Sequence, residues 1–196
     1  MKIERQVLHL PEGDKRAEVT IYDKTDIPKL FRIYKLWRKL CDKLGELNAR
    51  AANLPDGLSE VSFAISHNMW RRTSNIQGAN SSFDCYDPNG QQNCNRIQVK
   101  ACSVLPDLTS FGPNPDWDRI FFVDFYREGK WDGTFDVYEL RTADILSFSV
   151  NATQTVANQG AQARRPRFSI YDGLIQANKY ISKKTFQITQ SKILEI

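Results

Sequence analysis

The sequence lacks the long apolar segments that mark membrane and secreted proteins. No apolar run approaches the roughly 20 residues that a membrane-spanning helix requires. The first sixteen residues, MKIERQVLHLPEGDKR, contain no apolar core of a secretory signal. We therefore expect a cytoplasmic protein that has no membrane partner.

Cysteine and histidine are scarce, and several enzyme motifs are absent. The chain contains four cysteines and two histidines, with no CxxC pair and no histidine at zinc-finger spacing. Reduced thiols are therefore expected rather than a zinc site. The GxSxG, P-loop and dinucleotide-binding motifs are also missing, which argues against a serine hydrolase or a nucleotide-binding enzyme.

The composition is that of an ordinary globular protein, but its charges are unevenly distributed. The 196 residues are 41% apolar and 26% charged, which suits one domain over 1–196. Residues 151–196 contain seven Lys or Arg and two acids, whereas residues 103–140 contain eight acids and three bases. This distribution favours a polyanion-binding surface beside a cation-binding centre. An ordinary solvated surface remains the alternative on charge alone.

Helical and β periodicities alternate along the chain. Strands are predicted at 3–9 and 16–22, around the turn PEGDK, and apolar spacing predicts helices over 25–50 and 57–72. Residues 151–167 are polar and show no apolar periodicity. Further strands are predicted at 81–87, 95–104, 119–126, 134–140 and 185–190. Between them the sequence predicts a turn at 87–93, a loop at 105–117, and short helices at 142–148 and 172–181.

One hairpin of this pattern places candidate catalytic residues together. Phosphodiester hydrolysis needs charge neutralisation on the phosphate and an activated water, which a divalent ion held by oxygen ligands supplies. The PD-(D/E)XK arrangement uses an acid on one strand and an acid–X–Lys triplet on the next. Here Asp84 precedes Gln98-Val99-Lys100 by fourteen residues, so strand alternation puts Gln98 and Lys100 on one face. Glutamine replaces the usual acid, and Glu60 on the preceding helix is the candidate extra carboxylate.

Structural interpretations of these residues remain open. In the structural alternative, Asp84 satisfies backbone donors at a turn and Lys100 is a solvated residue at a strand edge. Asp87 is a rival ligand, although its position before Pro88 favours a turn. His67 has no plausible partner for a catalytic triad, and accommodation in the core or at the surface is favoured.

Seven strings give the chain a resemblance to a known family over roughly residues 55–170. They are SEVSF, SSFDCYD, RIQVKA, LTSFGPNPDWD, FFVDFY, DGTFDVYEL and QARRPRFSI, and in this order they resemble small type II restriction endonucleases of the Bsp-six-I type. The resemblance implies an α/β, single-domain PD-(D/E)XK restriction-endonuclease-like fold, with a central mixed sheet flanked by helices. It implies Mg²⁺-dependent cleavage of double-stranded DNA at short GC-rich interrupted palindromes of the GCNGC type. The family pattern falls on Asp84, Gln98 and Lys100, with Glu60 at the helical acid position.

A polar segment near the C-terminus has the composition of a DNA-reading surface. Arginine pairs with guanine, and Gln or Asn with adenine, in the major groove, so we predict recognition by residues 151–170. The candidate DNA-binding residues are Arg164, Arg165, Arg167, Gln154, Asn158, Gln159 and Gln162. A flexible polar loop with scattered arginines is the alternative.

Partners follow from the expected chemistry. Symmetric cuts in a palindrome require two active centres, which a C2 homodimer supplies. A restriction enzyme also requires a cognate DNA methyltransferase that protects the host. The competing hypotheses are a repair-type nuclease without site specificity and a DNA-binding module in which Asp84 and Lys100 are structural.

Overall fold

The described part of the chain is built around one large mixed sheet. The computed structural model describes residues 1–91, 93–112 and 116–196. Within them, nine strands follow the order β1-β2-β3-β4-β5-β7-β8-β10-β11, and β6 and β9 form a separate small sheet. The strands are β1 (Lys2–Leu10), β2 (Gly13–Ile21), β3 (Trp70–Arg72), β4 (Cys85–Tyr86), β5 (Arg96–Cys102), β6 (Thr109–Ser110), β7 (Arg119–Asp124), β8 (Thr134–Leu140), β9 (Arg167–Phe168), β10 (Ser182–Ile188) and β11 (Ile193–Glu195).

The predicted central mixed sheet flanked by helices is confirmed at this level. β5 and β7 pair in parallel, whereas their outer neighbours β4 and β8 pair antiparallel to them. In the described ranges, four α-helices accompany the sheet: α1 (Ile27–Glu46), α2 (Asp56–His67), α3 (Thr142–Ser147) and α4 (Val156–Ala161). Among the residues that the structure describes, no helix is both long and apolar enough to cross a membrane.

One face of the sheet is covered by α1 and α2. Leu30, Tyr34, Trp37 and Cys41 repeat at three- and four-residue steps, so they share one side of α1 and are buried there. They belong to the same core as Ile97 and Val99 of β5, as the alternation of that strand predicts.

The opposite face is covered by the C-terminal half of the chain. Ile120 and Phe122 of β7 pack there with Ile145 of α3, Val156 of α4 and Leu174. Since successive residues of a strand point to opposite faces, Gln98 and Lys100 lie on this second face.

The second helix is shorter than predicted. Its periodicity predicts a helix over 57–72, but α2 ends at His67, and Asn68 adopts a left-handed conformation with φ of 55°. Residues 70–72 instead form β3, which pairs with β2 on one side and β4 on the other. The left-handed cap reverses the chain, and pairing with two distant strands overrides the helical pattern.

Several short elements also differ from the sequence expectations. Residues 151–167 contain α4, whose N-terminus is closed by a reciprocal capping box between Thr155 and Asn158. The predicted helix at 172–181 is a single π-helical turn, Tyr171–Ile175. The predicted loop at 105–117 contains β6, and β11 follows the predicted C-terminal strand. The predicted turn and loop also include Gln92 and 113–115, which lie outside the described residues.

Candidate active site

A cleft of about 730 Å³ opens beside β5. Its walls come from the connection between α1 and α2, from α2 itself, from β5 and from the segment that runs into β6. Asp84, Gln98, Lys100 and Glu60, the four candidate catalytic residues, all line it. The fold therefore brings together four side chains that the sequence distributes over 41 positions.

Asp84 lies directly before β4 and opposite Gln98 of β5. Cys85 pairs with Ile97, and the Asp84 N–H donates to the Ile97 carbonyl at 2.9 Å, which extends the ladder by one residue. The Asp84 carboxylate accepts a hydrogen bond from the Val99 N–H at 2.8 Å. Burial, together with the nearby Glu60 charge, raises the pKa of Asp84 to about 6. The Val99 N–H and the Lys100 charge act in the opposite direction.

Gln98 is buried, and its side-chain amide faces Asp84. The amide nitrogen donates to the Asp84 carboxylate and approaches the Val99 carbonyl oxygen at 3.3 Å. A carboxylate, a carboxamide and a main-chain carbonyl therefore meet at one point of the cleft. Rotation of the amide about its last side-chain bond would present its oxygen to that point, giving the oxygen-rich donor set that hard cations prefer.

The convergence of these three groups suits a hard divalent cation better than a softer metal. Within the described residues, no cluster of three or more His, Cys, Asp or Glu side chains has the arrangement of a metal site. A cation here would therefore depend on neutral oxygens as well as on carboxylates. Because Gln98 contributes no negative charge, the site is expected to hold its ion less tightly than one with a second acid in that position.

Glu60 reaches the cleft from α2 but is engaged in an ion pair. Its carboxylate accepts a hydrogen bond from Arg71 Nε at 2.6 Å, and both side chains are largely buried. Arg71 lies in β3, within the residues that the sequence assigned to a helix. The Glu60 carboxylate is thus fixed and partly neutralised, while its charge still acts on Asp84.

Lys100 supplies positive charge on the same face as Gln98. Its side chain is half-buried, and its Nζ lies 5.7 Å from the centre of the Phe111 ring. Among the described residues, no carboxylate lies within salt-bridge distance of this ammonium group. Lys100 is therefore available to an anionic group that enters the cleft.

The sequence interpretation missed Asp107, a buried carboxylate in the cleft wall. It accepts hydrogen bonds from the Ser169 hydroxyl at 2.5 Å, from the Ile170 N–H at 2.9 Å and from the Tyr171 N–H at 3.2 Å. The Thr109 hydroxyl is a fourth donor, at 3.1 Å. Asp107 thus joins the cleft to the C-terminal segment. Three of these four partners lie more than 60 residues away, so no local pattern signals the connection to the C-terminal segment.

Asp87 and His67 have structural roles. The Asp87 side chain accepts a hydrogen bond from the Asn89 N–H at 2.9 Å, as expected of a turn former. The His67 ring stacks on Phe63 with 4.5 Å between centroids and also contacts Phe121. Burial lowers the pKa of His67 to about 4, which keeps the ring neutral. The ring thus lies among core aromatic side chains, the accommodation that the sequence favoured.

The candidate DNA-reading residues form a separate polar surface. Arg164, Arg165 and Arg167 are exposed, and within the described ranges none of the three has a carboxylate partner. Gln154 donates to Gln162 at 3.1 Å and accepts from Gln159 at 3.3 Å. Asn158 is exposed and uses its amide oxygen in the α4 capping box. None of the seven residues lines the cleft.

The arginine segment is nevertheless attached to the cleft. Arg167 of β9 pairs with Ser110 of β6, and Phe168 pairs with Thr109. Both β6 residues line the cleft. The small β6–β9 sheet therefore fixes one end of the polar surface to the wall beside Lys100.

Comparison with known proteins identifies relatives across most of the chain. Residues 22–177 match the family model described as Bsp6I restriction endonuclease. The type II restriction enzyme Bsp6I from Bacillus sp. (strain RFL6) is 29% identical over 179 residues, covering 89% of this chain and 95% of that protein. No solved structure shows a significant match.

Proposed function

The chain belongs to the Bsp6I restriction endonuclease family, and it is accordingly a type II site-specific DNA endonuclease; we propose that its cleft is the hydrolytic centre. The observation on which this proposal rests is the pairing of Asp84 with Gln98 across β4 and β5, with Lys100 two residues further along the same face. This order and spacing support a PD-(D/E)XK site in which Gln98 replaces the second acid. We further propose that the whole chain is one domain of that fold.

The proposed cofactor is Mg²⁺, held by Asp84, the Gln98 amide oxygen and the Val99 carbonyl, with Glu60 contributing its charge. When bound, the ion supplies positive charge to the phosphate and lowers the pKa of a water molecule. Lys100 binds a non-bridging oxygen of the scissile phosphate and neutralises charge that develops there. The ion pair with Arg71 fixes the Glu60 carboxylate at the edge of the site.

The proposed substrate is double-stranded DNA with a short GC-rich palindrome. The exposed arginines at 164, 165 and 167 supply bidentate donors for guanine or contacts to phosphate, and the amides of 154, 158, 159 and 162 supply donors and acceptors for base edges. The pairing of β9 with β6 supports a role for this surface in positioning DNA over the cleft. We propose that the enzyme acts in the cytoplasm as a homodimer, beside a methyltransferase that modifies the same site.

The test is cleavage of unmethylated phage DNA by the purified protein, with Mg²⁺ and with EDTA. We expect discrete Mg²⁺-dependent bands, whose ends give the recognition site. Lys100→Ala and Asp84→Ala should abolish cleavage while DNA still shifts on a native gel. Lys192→Ala, at an exposed position away from the cleft, is the matched control and should cleave normally.

Two other outcomes would contradict the proposal. A smear instead of bands would indicate a nuclease without site specificity. Intact DNA that still binds the wild-type protein would indicate a binding protein, in which Asp84 and Lys100 are structural.

A further inference from the structure

Helix α1 has a second apolar stripe that no part of the described chain covers. Beside its buried residues, it exposes 49% of Ile33, 60% of Leu36 and 51% of Leu40, and Leu47 just after its end is 78% exposed. Leu44 lies in line with them and is partly exposed. Contiguous apolar surface of this kind marks an interaction site more often than scattered exposed residues do.

The spacing of this stripe is symmetric about Leu40. Leu36 and Leu44 lie four residues before and after it, and Ile33 and Leu47 lie seven residues before and after it. The mean spacing of 3.5 residues is that of a helix-pairing seam. In an antiparallel pair related by a two-fold axis, Leu40 would face its own copy, Leu36 would face Leu44, and Ile33 would face Leu47.

The charged residues along one flank of the stripe suit the same arrangement. Arg32, Lys39 and Glu46 follow one another at seven-residue intervals and therefore share that flank. Within one chain Glu46 already binds Lys43 at 2.8 Å, and antiparallel pairing about Leu40 brings the second copy's Arg32 near this acid, so two opposite-charge contacts are added. Lys39 lies at the middle of the flank, where its long side chain extends into solvent.

Helix α1 also supports the cleft. Trp37 Nε1 donates to the carbonyls of Ala52 and Asn53 at 3.2 and 3.1 Å. Ala52 and Asn53 line the cleft. The buried stripe of α1 thus fixes one cleft wall, while the exposed stripe is free, so a contact through α1 would join two chains next to their active centres.

We propose that the exposed stripe of α1, Ile33, Leu36, Leu40, Leu44 and Leu47, is the surface through which two copies of this chain form an antiparallel, two-fold-symmetric dimer. The need for two centres rests on the proposed function, since one cleft cuts one strand. The surface itself rests on the exposed stripe and its symmetry.

The test is the oligomeric state of the free protein, measured by light scattering or sedimentation without DNA. Wild type should be a dimer. Leu40→Glu places two carboxylates at the symmetry axis and should weaken dimerisation by about thirtyfold or more, as expected for a central interface residue. Ile181→Glu, at a position that is 52% exposed elsewhere, is the matched control and should remain dimeric.

Mixing two variants of opposite charge at position 40 provides a second measurement of dimerisation, which does not depend on a single variant. Leu40→Lys alone should also be monomeric, but an equimolar mixture with Leu40→Glu should recover dimers. Circular dichroism of each variant establishes that it is folded. A monomeric wild type, or a Leu40→Glu protein that dimerises as tightly as wild type, would overturn the proposal.

Cleavage assays separate this inference from the proposed function. Wild-type protein that dimerises through α1 but never cuts DNA would refute the catalytic proposal and leave the interface intact. If wild-type protein cuts DNA but the Leu40→Glu variant dimerises as tightly as wild type, the interface proposal is refuted and the catalytic proposal stands.

Discussion

Replacing Asp84 with Asn is expected to stabilise the metal-free protein near neutral pH while abolishing cleavage. The carboxylate is largely buried, and both burial and the charge of Glu60 oppose its ionisation. Asparagine has no charge to desolvate, yet its side-chain oxygen can still accept from both the Val99 N–H and the Gln98 amide N–H, which share one carboxylate oxygen of Asp84. The substitution therefore removes an unfavourable charge and keeps the hydrogen-bonding pattern.

The magnitude follows from the raised pKa. Folding moves the pKa of Asp84 from 3.8 to about 6, and two units correspond to about 3 kcal/mol at pH above the folded value. Partial exposure reduces this to about 2 kcal/mol. Because the folded pKa is the higher one, protonated Asp84 favours folding below pH 3.8, and this contribution is lost as the pH rises through 6. The advantage of asparagine should thus grow between pH 4 and 6.

The assay is urea unfolding in EDTA at pH 4.5 and pH 7.5. The free energy of unfolding of Asp84→Asn should exceed that of wild type mainly at pH 7.5. The control Asp42→Asn, at an exposed carboxylate on α1, should be about as stable as wild type at either pH. Adding Mg²⁺ should stabilise wild type and leave Asp84→Asn unchanged. An Asp84→Asn protein that is less stable than wild type in EDTA at pH 7.5 would refute the reasoning.

Three further predictions concern other parts of the molecule. Gln98→Glu adds a second carboxylate beside Asp84, so half-maximal cleavage should require less Mg²⁺ than in wild type; an unchanged Mg²⁺ titration would show that Gln98 is not a ligand. Arg165→Ala should weaken DNA binding. Where the contact is to phosphate, the slope of binding affinity against salt concentration should fall by about one ion. Unchanged binding curves in salt titrations would exclude the contact. The pKa of His67 in the folded protein is lowered to about 4. The free energy of unfolding should therefore fall by about 3 kcal/mol as the pH falls from 6.5 to 4, because His67 is protonated first in the unfolded chain. His67→Phe should remove that loss in acid unfolding curves, and an unchanged acid profile would contradict it.

The elements that sequence predicted well are those specified by local pattern. The apolar run of β7, the alternation of β5 and the hairpin that joins β4 to β5 each need only a short stretch of chain. The catalytic candidates come together because they lie on that hairpin and on the helix before it.

The elements that sequence missed depend on distant partners. β3 has no strand pattern of its own and forms because β2 and β4 offer it two edges. Arg71 could not be identified as the partner of Glu60 while residues 70–72 were assigned to α2. For α4, the capping signal of Thr155 and Asn158 was present in the sequence, but Val156 is the one buried residue of the helix, so no apolar periodicity revealed it.

The hydrogen bonds of Asp107 have a mechanical consequence. Its carboxylate is hydrogen-bonded to residues 169–171 and so attaches them to the cleft wall. The pairing of β9 with β6 attaches the residues just before them to the same wall. The arginine segment and the cleft wall beside Lys100 are therefore connected as one unit rather than as two independent parts. In the proposed enzyme, a poorly fitting base sequence that pushes the segment aside would also shift the phosphate away from Lys100, so recognition errors would be converted into slower chemistry as well as weaker binding.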